Sequence, residues 1–254
     1  MRFLLFMTLV IGALAAVAPW NCTAGEKARS HPIGVVELFT SQGCSSCPKA
    51  DAAFAELAER EDLISISYHI DYWNYLGWQD TLAVKENTDR QYGYAEMLGN
   101  NNVFTPQIVL NGVRDARSAN LRTILDDLHS LARAGDGVPV GVDAELMPDE
   151  LVIRIAEGAG KADVVIAYFQ KMTTVDIAKG ENIGKKITYR NAVTNLETVG
   201  MWEGKPLEIK LPSSLIAKRG HDGCAILLQA HDRDGNPGRI YGAAMIENYR
   251  LLAR

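Results

Sequence analysis

Two cysteines three positions apart, Cys44-Ser45-Ser46-Cys47, stand where an apolar run gives way to an amphipathic one. Upstream, Gly34-Val35-Val36-Glu37-Leu38-Phe39-Thr40 reads as a buried strand. Downstream, Cys47 to Arg60 reads as a helix with Ala50, Ala53, Phe54, Leu57 and Ala58 on one face. Pro48 falls just inside its start, where a missing amide hydrogen costs little. This order places Cys44 at a helix N-terminus, where the partial positive charge and free amide groups stabilise a thiolate. The spacing suits a cycle in which Cys44 attacks a target disulfide and Cys47 resolves the mixed disulfide. A structural disulfide or half of a metal site would use the same spacing. The second Cys-x-x-Cys that a zinc ribbon needs is absent from the sequence.

The rest of the chain narrows the setting for this pair. With 254 residues, 47% of them hydrophobic, and a net charge of −5 without a basic block, it reads as an ordinary globular protein, and nucleic acid is not an expected partner. Met1-Arg2 precedes Phe3 to Ala18, apolar apart from Thr8 and shorter than the ~20 residues of a spanning helix. Cys22-Thr23-Ala24 before Gly25 fits a small-residue cleavage site. Residues 1–24 are therefore expected to be a signal peptide, leaving a periplasmic or secreted protein with no stable membrane span. Thiols there meet an oxidising environment.

Residues 31–135 alternate strand and helix. Leu63 to Ile70 alternates as a second strand, and Gln79 to Leu98 reads as a helix interrupted by Gly93. Gln107-Ile108-Val109-Leu110 is a short strand before the turn signal Asn111-Gly112. Leu121, Ile124, Leu125, Leu128 and Leu131 form a helical stripe, with Ser118 as a cap before it and Gly135 as its stop. Asp136-Gly137-Val138-Pro139 reads as a linker. Residues 139–254 then change to short strands, near 139–147, 150–156, 163–169, 186–198, 206–211, 224–231 and 239–247, in the manner of an antiparallel sandwich.

Strand, Cys44-Ser45-Ser46-Cys47-Pro48, helix, strand, then Thr105-Pro106 and Asn111-Gly112 resemble a thioredoxin-like protein. The expected fold is thus an α/β thioredoxin-like domain followed by an all-β, sandwich-like C-terminal domain. In that superfamily a cis proline lies against the active-site disulfide and the residue before it pairs with bound substrate. The resemblance implies those roles for Pro106 and Thr105, although a proline opening a strand needs no special role. More narrowly, Glu37 to Pro48, His69-Ile70-Asp71-Tyr72-Trp73, Leu76-Gly77-Trp78, Thr105-Pro106-Gln107, Gly180-Glu181-Asn182-Ile183-Gly184 and Tyr189-Arg190-Asn191 are similar to a family of bacterial exported proteins catalogued only as a domain of unknown function.

The expected activity is thiol-disulfide exchange with a protein or small thiol or disulfide, without a cofactor or resident metal. Two alternatives stay open. Some exported thioredoxin-like proteins bind copper through two cysteines and a histidine, and His69 is the available third ligand, although their cysteines usually stand one residue wider. The other is a non-catalytic binding protein with a structural disulfide. Thioredoxin-like oxidoreductases often carry a buried proton-relay acid six residues before the first cysteine. Here that position is Leu38, and the acid, Glu37, is seven before. Glu37 would act as the relay if the loop absorbs one residue, and as a structural ion pair otherwise. Trp73 and Trp78 could line a substrate groove beside His69, or pack with their polar tips satisfied locally.

Overall fold

The computed structural model describes residues 26–116, 119–214 and 221–247. The expected signal peptide and the Ser118 cap lie outside them. The first half contains strands β1 (Glu26–Lys27), β2 (Arg29–Ser30), β3 (Gly34–Thr40), β4 (Leu63–His69), β5 (Gln107–Leu110) and β6 (Arg114–Ala116). Its helices are α1 (Cys47–Ala58), α2 (Lys85–Met97) and α3 (Leu121–Ala134), with a 3-10 turn at Asn74–Leu76. The second half is all strand: β7 (Val142–Leu146), β8 (Glu150–Ile155), β9 (Ala162–Asp176), β10 (Lys186–Trp202), β11 (Leu207–Pro212), β12 (Gly223–His231) and β13 (Pro237–Glu247).

These elements correct the expected fold class. The protein is mostly β, with three α-helices against thirteen strands among the described residues. It is not a helix-rich α/β thioredoxin-like fold followed by a self-contained sandwich. One curled mixed sheet of nine strands, in the order β2-β13-β12-β9-β10-β4-β3-β5-β6, draws on both halves of the chain. The join is β10 against β4, parallel, through Ala192 and Ser67. Asn191 secures it, its side-chain amide donating 2.8 Å to the Ser65 carbonyl. Every residue of β4 is buried. A strand buried on both faces reads the same whatever lies beside it, so periodicity carried no information about its second neighbour.

A four-stranded sheet, β1-β7-β8-β11, packs on the outer part of the large one. Val142, Leu146, Leu151 and Ile153 meet Val164, Ile166, Tyr168 and Ile226 between the two sheets. The strand positions in this half follow the turn signals, but β9 and β10 run to 15 and 17 residues as one long hairpin. On β3 the side chains alternate. Val36 and Leu38 pack with Phe54 and Leu57 under α1. Val35 and Phe39 face the opposite layer, with Tyr68 and Tyr94.

The second helix begins at Lys85, six residues later than expected, because Asp80 holds the preceding loop in a non-helical turn by accepting from the Leu82 amide at 2.9 Å. Gly93 lies inside this helix for a packing reason. A Cβ there would come within 2.6 Å of the Pro237 ring at the β12–β13 turn. Asn120 caps α3, accepting from the Thr123 amide at 3.3 Å, and Gly135 ends it in the left-handed region at φ 90°. Among the described residues no helix is long and apolar enough to cross a membrane.

Candidate functional site

The loop from Thr40 to Cys47 turns twice before α1. The Cys44 amide donates to the Ser41 carbonyl and the Cys47 amide to the Cys44 carbonyl, each at 3.2 Å. These turns deliver the cysteines to the helix N-terminus as a Cys44–Cys47 disulfide with Cα atoms 5.4 Å apart. Cys47 is fully enclosed and Cys44 nearly so, whereas Ser45 and Ser46 are exposed. Across from them the Thr105–Pro106 peptide is cis. The Thr105 carbonyl oxygen lies 3.7 Å from Cys44 Sγ, and the Ser46 hydroxyl lies 3.3 Å from the same sulfur. A groove of ≈ 480 Å³ opens between Ser46 and Pro106, which flank the pair, and is lined also by Lys49, Ala50, Ala53 and Ile108 among others.

The segment after β4 wraps this loop. The Trp73 indole N–H donates 2.7 Å to the Thr105 hydroxyl, and the Trp78 indole N–H donates 2.8 Å to the Gln42 side-chain carbonyl. Gly43 permits the close approach: a Cβ there would lie 3.0 Å from Trp73 Cβ and 3.2 Å from its carbonyl oxygen. The tip of the β9–β10 hairpin closes the other side. Asn182, fully buried, donates 2.8 Å bonds from one amide nitrogen to the carbonyls of Gln42 and Cys44.

Beneath the cysteines, on the α1 side of the sheet, lies a buried polar group. Asp51 is one turn after Cys47 on α1, and one of its carboxylate oxygens accepts from the Thr40 hydroxyl at 2.7 Å. His69 stands beside Thr40 in the β3–β4 register. Its Nδ1 is 2.9 Å from Asp80, which also accepts from the Gln42 amide at 2.8 Å. Tyr189 of β10 meets the His69 ring edge-on with centroids 4.5 Å apart. Asp51 Oδ2, His69 Nε2 and Tyr189 Oη are buried without a hydrogen-bond partner.

Charge in this group follows from its surroundings. Burial pushes the Asp51 carboxyl up to about 7 against the opposing pull of His69 and the Thr40 hydroxyl. Burial also works against charge on Asp80, but His69 and two backbone amides outweigh it and hold Asp80 below its usual range. For His69, burial disfavours the imidazolium, and Asp80 overcomes it and keeps the pKa above the ordinary histidine value.

The structure therefore brings together Cys44, Cys47, Thr105, Pro106, Trp73, Trp78 and, below them, His69. Glu37 is not among them. It points to the other face of β3, where Arg90 donates to it at 2.6 Å and the Tyr94 hydroxyl also donates to it. The one-residue offset is not absorbed by the loop, so the side chain turns to the opposite face. Among the described residues no group of three or more His, Cys, Asp or Glu side chains is arranged to hold a metal ion. Sequence reasoning gave no role to Asp51, Asp80, Gln42 or Asn182, although Gln42 and Asn182 lie in the motifs that carry the family resemblance. Asp51 had a readable signal, an acid in the helical stripe Cys47, Phe54, Ala58. The other three act through loop contacts distant in sequence, which carry no periodicity.

The model of a family described as "Protein of unknown function (DUF1223)" matches residues 35–229. The crystal structure of protein AGR_C_4864 from Agrobacterium tumefaciens is similar at 49% identity and TM-score 0.79, over 85% of this chain and 94% of that one. HBP35 of Porphyromonas gingivalis is similar in fold, at 13% identity and TM-score 0.57, over 89% of this chain and 76% of that one. None of the curated proteins matches the chain.

Proposed function

The chain belongs to the DUF1223 family, and from the geometry of its cysteine site we propose that it exchanges thiols and disulfides through Cys44 and Cys47. The observation that carries this reading is the disulfide at the start of α1 with the Thr105 carbonyl 3.7 Å from Cys44 Sγ. That local order of strand, Cys-x-x-Cys, helix and X-Pro is like the active site of thioredoxin-like oxidoreductases. The likeness is one of local chemistry and does not extend to the fold.

In the reduced protein the helix N-terminus stabilises the Cys44 thiolate. Cys44 attacks one sulfur of the substrate disulfide, the other substrate sulfur leaves as a thiolate, and a mixed disulfide forms. Cys47 then attacks Cys44 Sγ, restoring the pair as a disulfide and releasing the second substrate thiol. In this reading a substrate approaches Cys44 past Ser46, whose hydroxyl lies 3.3 Å from the sulfur and which lines the adjoining groove with Pro106. Thr105, positioned by Trp73, offers its backbone to an extended segment. The apolar run of residues 3–18 supports the periplasm or the cell exterior as the setting of this chemistry.

The test is a redox titration of the pair together with turnover of a disulfide protein such as insulin, and trapping of partners by Cys47→Ala. Turnover in either direction with covalent adducts on Cys44 supports the reading. A reduced Cys44 that resists alkylation, with no turnover in either direction, refutes it.

A further inference from the structure

We propose that the carboxylate of Asp51 is the base that removes the thiol proton of Cys47 when the mixed disulfide is resolved; this rests on the exchange reading above. Asp51 and Cys47 are four residues apart on α1 and both are buried. That spacing stacks their side chains on one helix face with Cβ atoms about 5–6 Å apart. The Thr40 hydroxyl fixes one carboxylate oxygen, and the other is enclosed without a hydrogen-bond partner. For an acid so placed, in the stripe that otherwise carries Phe54 and Ala58, one hydrogen bond on one oxygen offsets only part of the burial cost.

The groups that face it are Thr40 from β3, His69 from β4 with Asp80 behind it, and Tyr189 from β10. Of these, His69 favours the carboxylate by its charge, and its Nδ1 is already held by Asp80. Burial opposes the carboxylate and brings its titration to about 7, where a base and its conjugate acid are both available near neutral pH. Of the other buried acids, Asp80 is bound to His69 and two backbone amides, and Glu37 is bound to Arg90 on the opposite face of β3.

Asp51 takes the proton from Cys47 Sγ, and the resulting thiolate attacks Cys44 Sγ. The Cys44–Cys47 bond forms, and the bond from Cys44 to the substrate sulfur breaks. The substrate leaves as a thiolate that receives the proton held by Asp51. The cysteine pair is oxidised by two electrons, and the substrate disulfide is reduced by the same two.

The reduced full chain, in a Cys22→Ser, Cys224→Ser background, is mixed with dithiobis(nitrobenzoate) in a stopped-flow instrument across the neutral pH range. The first nitrothiobenzoate released reports attack by Cys44 and the second reports resolution by Cys47. The second step of the unaltered pair is expected to rise with pH around a midpoint near 7. Asp51→Asn is expected to slow that step about 10²-fold and abolish the midpoint, with the first step changed less than about twofold. Thr40→Val, which removes the hydroxyl that favours the carboxylate, is expected to move the midpoint to higher pH. A second step with the same rate and profile in Asp51→Asn overturns the assignment. Should that variant fail to fold, Thr40→Val decides: an unmoved midpoint overturns the assignment and an upward shift supports it. No release at all from the Cys44–Cys47 pair overturns the exchange reading itself.

Discussion

The side-chain amide of Asn182 donates to the backbone carbonyl of Cys44 at 2.8 Å, across 138 residues of chain. The same nitrogen also holds the Gln42 carbonyl, so the tip of a hairpin in the second half braces the cysteine loop of the first. This tie accounts for the Gly180-Glu181-Asn182-Ile183-Gly184 motif. Gly180, in the left-handed region at φ 77°, lies against Trp78, and Lys185 donates 2.8 Å to the remaining Asn182 oxygen.

Replacing Asn182 by Ala removes its donor from the Gln42 carbonyl and leaves the Cys44 carbonyl with the Cys47 amide alone. The oxidised protein should lose roughly 1–3 kcal/mol in urea unfolding, the cost of unsatisfied buried polar groups. An unchanged midpoint would show that the hairpin tip does not brace the loop.

Glu37 and Arg90 form a buried ion pair at 2.6 Å, with side-chain exposures of 0% and 7%. Glu37→Gln removes the compensating charge from Arg90 and should cost roughly 3–5 kcal/mol. Replacing both residues by Leu should cost less than the sum of the two single changes, which a double-mutant cycle reads directly. Alkylation of Cys44 by iodoacetamide should proceed at an unaltered rate in Glu37→Gln, since the pair lies on the far face of β3. A shifted pH profile there would return Glu37 to the thiol chemistry.

Asp51 makes the stability of the oxidised protein pH-dependent. Its folded pKa of about 7 exceeds the ordinary 3.8, so between these values the folded protein holds a proton that the unfolded chain has lost. Stability from this group is therefore complete at low pH and falls as pH rises, by at most ~1.4 kcal/mol per pH unit, levelling off above the folded value. His69 acts in the same sense: its raised folded pKa contributes stability below the unfolded value that is lost as pH rises through the folded one. Subtracting the unfolding curves of Asp51→Asn isolates the Asp51 part, and the variant's advantage should grow with pH and then level off near 7. A pH-independent difference would contradict the buried-acid description.

Gly93→Ala sets two effects against each other. Alanine favours a helix interior by about 1 kcal/mol over glycine. The new Cβ would meet the rigid Pro237 ring at 2.6 Å, and overpacking of that kind typically costs about 1–3 kcal/mol. The variant should be less stable in thermal unfolding. A gain in stability would mean that the β12–β13 turn yields without cost.

What could be read along the chain was local. The apolar run before Cys44, the stripe of α1, the Gly135 stop and the turn clusters of the second half each depend on residues within one or two turns, and each places an element close to where it occurs. Asp51 is equally local, an acid in an otherwise apolar stripe. The parity of β3 was legible too: Glu37 and Thr40 are an odd number apart, so one strand must send them to opposite faces.

The cysteine pair, the helix that begins at it, and the order of the longer strands and helices follow from side-chain periodicity and backbone preference over short spans, whereas β1, β2 and β6 are too short to carry such a pattern. Tertiary packing adds β10 to β4 and merges the two halves into one sheet. It alone set His69 and Asp80 under the disulfide loop and Asn182 over it, and gave Glu37 to Arg90. Those pairings join residues far apart in the chain, and what selects them is the satisfaction of buried polar groups and sheet edges, which no window of sequence contains.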